Sequence, residues 1–217
     1  MLYYNKYMEY FFVIIILIFS VIIHEIAHGS IAYYLGDPSA KYAGRLTLNP
    51  LRHLDPIGSV IVPIFLVIMA QVTKGGIIFG WAKPVPVNPY NFKDQKYGSL
   101  KVALAGPAAN LLVALVFGLI LRFLPFLFVV NGLALMFSYI VYINILLAVF
   151  NLIPVPPLDG SHILFSLLPY SATKIKIFFQ QFGIFILLFI IFFAFPYLTF
   201  IINWIFSLIT GFPLFDY

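Results

Sequence analysis

The sequence predicts an all-α polytopic integral membrane protein with about five to six membrane segments, one of them re-entrant. Two observations carry this. Of the 217 residues 63% are hydrophobic and 9% are charged, which leaves too few polar side chains to cover a soluble domain of this size. The mean hydropathy is +1.07, and the apolar residues gather into runs that approach or reach membrane-spanning length, separated by Pro- and Gly-containing breaks.

The first element runs from about Met8 to Leu35 and stops at Gly36-Asp37-Pro38, a sequence that cannot continue a helix. Ile57 to Val72 follows, short and interrupted by Pro63. Val102 to Leu121 is a clear span between Lys101 and Arg122, and Leu133 to Leu152 is another, ending at the proline cluster PVPPLDG. After the cluster come the brief Ser161 to Leu168, then Ile175 to Phe195 and Leu198 to Ile209, the last too short to cross a hydrocarbon core of about 30 Å on its own. No internal repeat or appended soluble domain is visible, so residues 1–217 are expected to form one membrane-embedded domain. Tyr10 to Val21 leads into His24 and Glu25 instead of a small-residue cleavage site, which argues against a cleaved signal peptide.

The net charge of +5 lies between apolar runs, where it sets membrane orientation, and no nucleic-acid partner is expected. With no cysteine, the chain has no disulfide, iron–sulfur cluster or thiol nucleophile. Ile57 to Val72 decides the topology. If it re-enters on one side, only Lys6 and Arg122 of the twelve Lys and Arg lie opposite the rest; a full crossing gives at best eight against four. The first split obeys the positive-inside rule better and places the large basic loop in the cytoplasm of a multi-pass cell-membrane protein.

HEIAH, residues 24–28, interrupts the first apolar run with two imidazoles and a carboxylate. On a helix His24 and His28 stand one turn apart on one face and can direct a ring nitrogen each at a single zinc ion. Glu25 is one position round, where it can reach a water on the metal without being a ligand, as a general base must. The alternative is a pair of histidines hydrogen-bonded within a bundle. An unpaired Glu25 in hydrocarbon would then cost about 2.5 to 3.5 kcal/mol.

A third protein ligand leaves one position open for water. Asp159 in NLIPVPPLDG is the leading candidate, on a rigid path that survives at membrane depth only against protein or a wet cavity. Its alternative role is as an N-cap for the helix starting near Ser161, and His162 is an alternative ligand. Asn110 in AGPAAN can hold backbone or substrate, or join helices. Asn144 reads foremost as a bond between helices, and Asn151 as a group that holds substrate or stabilises a tetrahedral intermediate. Trp81 reads as an interfacial anchor, and Lys83 to Asn88 as a weak candidate for edge pairing with an extended peptide. A transporter or a metal-sensing membrane protein is the competing class, but a transporter is expected to show paired half-molecule features or two broken helices, and here the breaks differ.

HEIAH, AGPAAN and FNLIPVPPLDG, in this order over roughly Val21 to Ser166, resemble the site-2 protease family of intramembrane zinc metalloproteases, in its compact prokaryotic form without a PDZ domain. The resemblance implies one Zn2+ per chain held by His24, His28 and Asp159, with Glu25 activating the water and Asn151 assisting the intermediate. It also implies a transmembrane protein substrate cleaved within or beside its membrane helix, in the lipid bilayer. Family members commonly carry another membrane helix before the metal-binding one, whereas here the metal-binding helix comes first and Ile57 to Val72 is added.

Overall fold

The computed structural model describes residues 6–55, 58, 61, 65, 83–124 and 132–214. Among the described residues there are six α-helices: α1 (Lys6–Tyr34), α2 (Ser39–Tyr42), α3 (Gly98–Phe123), α4 (Leu133–Asn151), α5 (Asp159–Leu167) and α6 (Thr173–Thr210). Among the described residues there is no strand, and four helices are long and apolar enough to cross a membrane: α1, α3, α4 and α6. Nearly all of Ile57 to Val72 and all of Trp81 lie outside the described residues. The two described flanks of that stretch meet, since Lys83 N–H donates to His53 O at 3.0 Å.

Helix α3 stands at the centre. Its buried face carries Gly98, Ala103, Gly106, Ala114 and Gly118, small residues that let neighbouring helices approach closely. Towards its C-terminal half, Ala114 and Leu121 pack with Val141 and Ile145 of α4 and Ile202 and Phe206 of α6. A second cluster, Ala32, Leu35, Phe92 and Val102, joins α1, a strap formed by residues 83–93, and the start of α3.

The strap is fixed by its donors. Asp37, fully buried just after α1, accepts from Asn88 N–H at 2.7 Å, Asn91 Nδ2 at 2.8 Å and Ser39 Oγ at 2.6 Å. Lys93 N–H donates to Leu35 O at 2.8 Å. Gly36 makes the preceding turn with a φ of +109°, a backbone state that favours glycine. The helix stop read from Gly36-Asp37-Pro38 is thus also the clamp for a segment 50 residues downstream. In the stretch from Lys83 to Asn88, the N–H groups of Lys83, Val85 and Asn88 are committed within the protein.

Beyond α4 the proline loop turns tightly and docks on α6. Ile153, Val155 and Leu158 pack against Leu187. Gly183 of α6 makes room for the loop, since a Cβ there would lie 2.7 Å from Pro156 O. Gly160 does the same at the start of α5, where a Cβ would meet Ile153 C at 2.6 Å.

The sequence reading split the C-terminal region into Ile175 to Phe195 and Leu198 to Ile209; the structure joins them in α6, with Pro196 inside a helix of 38 residues. Proline removes one helical hydrogen bond, which in water favours ending the helix. In lipid, a break would expose more backbone groups with no water to satisfy them, so the helix continues. At 1.5 Å per residue α6 is about 57 Å long, well beyond the hydrocarbon core. Phe185, Phe192 and Phe200 project from it, each about two-thirds exposed, as suits a lipid-facing surface.

Candidate metal centre

His24 and His28 lie side by side on α1, their ring centroids 4.6 Å apart, and both are buried. Asp159 opens α5 and turns its carboxylate back to them: Oδ2 is 3.0 Å from His24 Nε2 and 3.2 Å from His28 Nε2. The two Nε2 atoms are 3.0 Å apart. The residue before Asp159, Leu158, occupies the N-cap position, and no side chain caps the helix, so Asp159 does not serve as the cap.

The other ring nitrogens set the character of this cluster. His28 Nδ1 is 2.7 Å from Val102 O, a carbonyl that can only accept, so Nδ1 carries the proton and, in the neutral ring, Nε2 presents a lone pair. His24 Nδ1 is 2.6 Å from Asn110 Oδ1, with the same consequence. Two nitrogen lone pairs and a carboxylate oxygen therefore converge, and Asp159 Oδ2 is buried with no hydrogen-bond donor. Three acceptors facing one point require a positive charge between them.

A divalent ion fits. Three ligands bound tetrahedrally at about 2.0–2.2 Å stand about 3.3 Å apart, close to the separations of 3.0 to 3.2 Å found here. Two imidazoles and one carboxylate form a donor set suited to zinc, with a coordination position left for water. Among the described residues these three form the grouping able to hold an ion, and His162 is not in it.

The cluster borders a cavity of about 410 Å³ that is also lined by Glu25, Asn151 and His162. Glu25 Oε2 accepts from Val85 N–H at 2.8 Å, which ties the carboxylate to the strap and leaves Oε1 for the cavity. Asn151, at the end of α4, donates from Nδ2 to Leu147 O at 2.9 Å, and the second Nδ2 hydrogen is left for another acceptor. Asn110 and Asn144 are fully buried behind His24, away from the cavity lining.

Three contributors were not singled out from sequence. Gly106, inside AGPAAN, lies against both rings: a Cβ there would be 2.5 Å from His24 Cε1 and Nε2 and would touch His28 Nε2. A glycine before proline in an otherwise helical run was the available signal. Val102 acts through its carbonyl and Val85 through its N–H, and backbone groups leave no mark in residue type.

Comparison with known proteins shows the family of the chain. Residues 127–194 match Peptidase family M50. The chain is 39% identical over 165 residues to the Bacillus subtilis protein named "Putative zinc metalloprotease YwhC", covering 73% of this chain and 69% of that protein. It is 33% identical over 145 residues to the Mycolicibacterium smegmatis protein named "Putative zinc metalloprotease Rip2", covering 65% of this chain and 51% of that one. The Mycobacterium tuberculosis protein of the same name matches at 33% over 144 residues. No solved structure matches significantly. The likeness to the Bacillus protein extends through more than two-thirds of it, and the chain belongs to peptidase family M50, the site-2 protease family of metalloproteases.

Proposed function

We propose that this zinc-dependent metalloprotease hydrolyses peptide bonds within or beside the transmembrane segments of membrane-protein substrates, using His24, His28 and Asp159 as zinc ligands, Glu25 as general base and Asn151 as a donor to the intermediate. The observation that carries the reading is the convergence of three unprotonated ligand atoms beside a free Glu25 oxygen, in a cavity walled by α1, α3 and the end of α4. All three helices are long and apolar enough to span a bilayer, which supports a membrane-embedded substrate.

His24, His28 and Asp159 would hold the zinc ion, which when bound would supply Lewis-acid polarisation of the scissile carbonyl and a more acidic water. Glu25 Oε1 takes the proton from the attacking water and hands it to the leaving amine, while Val85 N–H holds Oε2 in place. The remaining Nδ2 hydrogen of Asn151 donates to the developing oxyanion. A substrate helix must first unwind, because its amides are shielded, and the polar cavity then satisfies the exposed backbone. Residues 1–217 act as one metalloprotease domain, with the large basic loop on the cytoplasmic face. The hydrogen bond between the flanks at His53 and Lys83 supports placing both on the same side.

The test is proteolysis of a membrane-embedded substrate in proteoliposomes alongside zinc analysis. Glu25→Gln is expected to retain zinc and lose activity by at least about 10²- to 10⁴-fold. Asp159→Ala is expected to lose zinc. Cleavage at the wild-type rate by Glu25→Gln, or full zinc stoichiometry in Asp159→Ala, would overturn the assignment.

A further inference from the structure

We infer that Asn110 and Asn144 form a polarity lock that holds His24 in the tautomer able to bind metal, which makes both amides positioning residues for the centre. The inference rests on the zinc site proposed above.

It begins with two carbonyls that can only accept. Ile140 O lies 2.8 Å from one amide terminus of Asn144, so that terminus must be Nδ2, and Oδ1 must face the other way, towards Asn110. Ser20 O lies 3.2 Å from one terminus of Asn110, which must likewise be Nδ2. The Asn110 Nδ2 to Asn144 Oδ1 bond of 2.8 Å agrees with both assignments. Asn144 Nδ2 also reaches Ser20 Oγ at 2.9 Å. Asn110 Oδ1 is thereby left pointing at His24 Nδ1, 2.6 Å away, and only a protonated Nδ1 satisfies it.

The proton order is thus dictated from the backbone of α1 and α4, through two amides, to one imidazole. Reversing either amide would set two donors or two acceptors against each other in a fully buried place, where an unsatisfied polar group is costly. Were Asn110 to turn round, its Nδ2 would demand the Nδ1 lone pair of His24 and move the ring proton to Nε2. That proton would block the metal position. His28 needs no such device, because the carbonyl of Val102 fixes it directly.

The test uses the full chain in detergent micelles. Zinc affinity is measured by chelator competition, and the tautomers of His24 and His28 by ¹⁵N NMR on metal-free protein well above the imidazole titration range. Asn110→Leu, similar in volume but without an acceptor, is expected to weaken zinc binding about 10- to 100-fold. It should also move the His24 proton towards Nε2 while His28 keeps Nδ1–H. Asn110→Asp keeps an acceptor oxygen for His24, and in its protonated form one hydrogen for Asn144 Oδ1 in place of the two of Nδ2, so it should restore the tautomer and part of the affinity. Asn144→Leu should give a smaller loss than Asn110→Leu, since Ser20 O still biases the Asn110 amide.

The lock is overturned if Asn110→Leu leaves the His24 tautomer or the zinc affinity unchanged. Equal loss in Asn110→Asp and Asn110→Leu, or a tautomer change in both histidines together, would show a packing defect and also overturn it. Wild-type affinity in Asn144→Leu would remove that residue from the lock. Zinc binding that is insensitive to Asp159→Ala would refute the site itself, and the tautomer readout would still judge the lock separately.

Discussion

Gly106→Ala tests the proposed metal centre at the ring atoms that would face the ion. The added methyl would stand 2.5 Å from His24 Cε1 and Nε2 and would touch His28 Nε2, so the rings must retreat by about 0.9 Å to reach the 3.4 Å of an ordinary contact. Neither ring can swing away freely. His24 is held at 2.6 Å by Asn110, and His28 at 2.7 Å by Val102 O. Metal–ligand distances tolerate shifts of about 0.2 Å, so the strain falls mainly on the metal-bound state. Overpacking of this kind costs about 1–3 kcal/mol, equivalent to roughly 5- to 150-fold weaker zinc binding. Chelator competition measures that loss directly. Thermal unfolding with and without excess chelator separates it from any general loss of stability, which should be smaller in the metal-free protein because its rings can move apart. Zinc affinity within twofold of wild type would refute the cradle and the ring positions on which it depends.

Val85→Pro deletes the N–H that holds Glu25 and leaves the zinc ligands alone. A hydrogen bond to a charged acceptor is worth about 1.5–3 kcal/mol, so kcat/KM should fall by about 10- to 100-fold at unchanged zinc stoichiometry; unaltered kinetics would show that the strap does not position the base. Asp37 governs the acid side of stability. Burial opposes its ionisation, but the bonds from Asn88, Ser39 and Asn91 outweigh burial and hold its carboxyl below the ordinary value of 3.8. Its contribution is therefore present above the unfolded value and is lost as pH falls through the lower folded value. Melting scans against pH should show an acid limb below about pH 4 that is flattened in Asp37→Asn. At neutral pH the variant should be less stable by about 1–3 kcal/mol. An unchanged acid limb would remove Asp37 from this role.

The legible parts were those in which residue type alone is informative. Long apolar runs fixed α1, α3 and α4 because lipid allows few alternatives to a helix. His24 and His28 of HEIAH were legible as neighbours because helical periodicity puts residues four apart on one face. Asp159 was reachable because an acidic residue in a proline-bound turn beside apolar runs needs a partner. Pro196 misled in the other direction: proline ends helices in water, and the surroundings that keep α6 continuous are not written in the tripeptide around it. The partners of Asn110 and Asn144 were hidden for another reason. An amide in a helix has many possible acceptors, and only the packed backbone of α1 and α4 selects among them. Asp37 read as part of a helix stop, whereas its four bonds to the strap and α2 depend on contacts up to 54 positions away.

The site also constrains how the chain threads. Val102 and Gly106, near the start of α3, and Asn151, at the end of α4, all lie at the histidines or their cavity, so α3 and α4 run antiparallel and return the chain to the level it left. Asp159 can then reach His24 and His28 only if the connection between α1 and α3 also begins and ends on that level. The bond from Lys83 to His53 meets that condition. Two buried imidazoles and a carboxylate with no donor between them are costly to assemble unless the elements that carry them arrive together around a cation. Metal binding should therefore be coupled to the docking of the proline loop on α6. Gly183 and Gly160, where that docking leaves no room for a side chain, are then expected to affect metal binding through the docking.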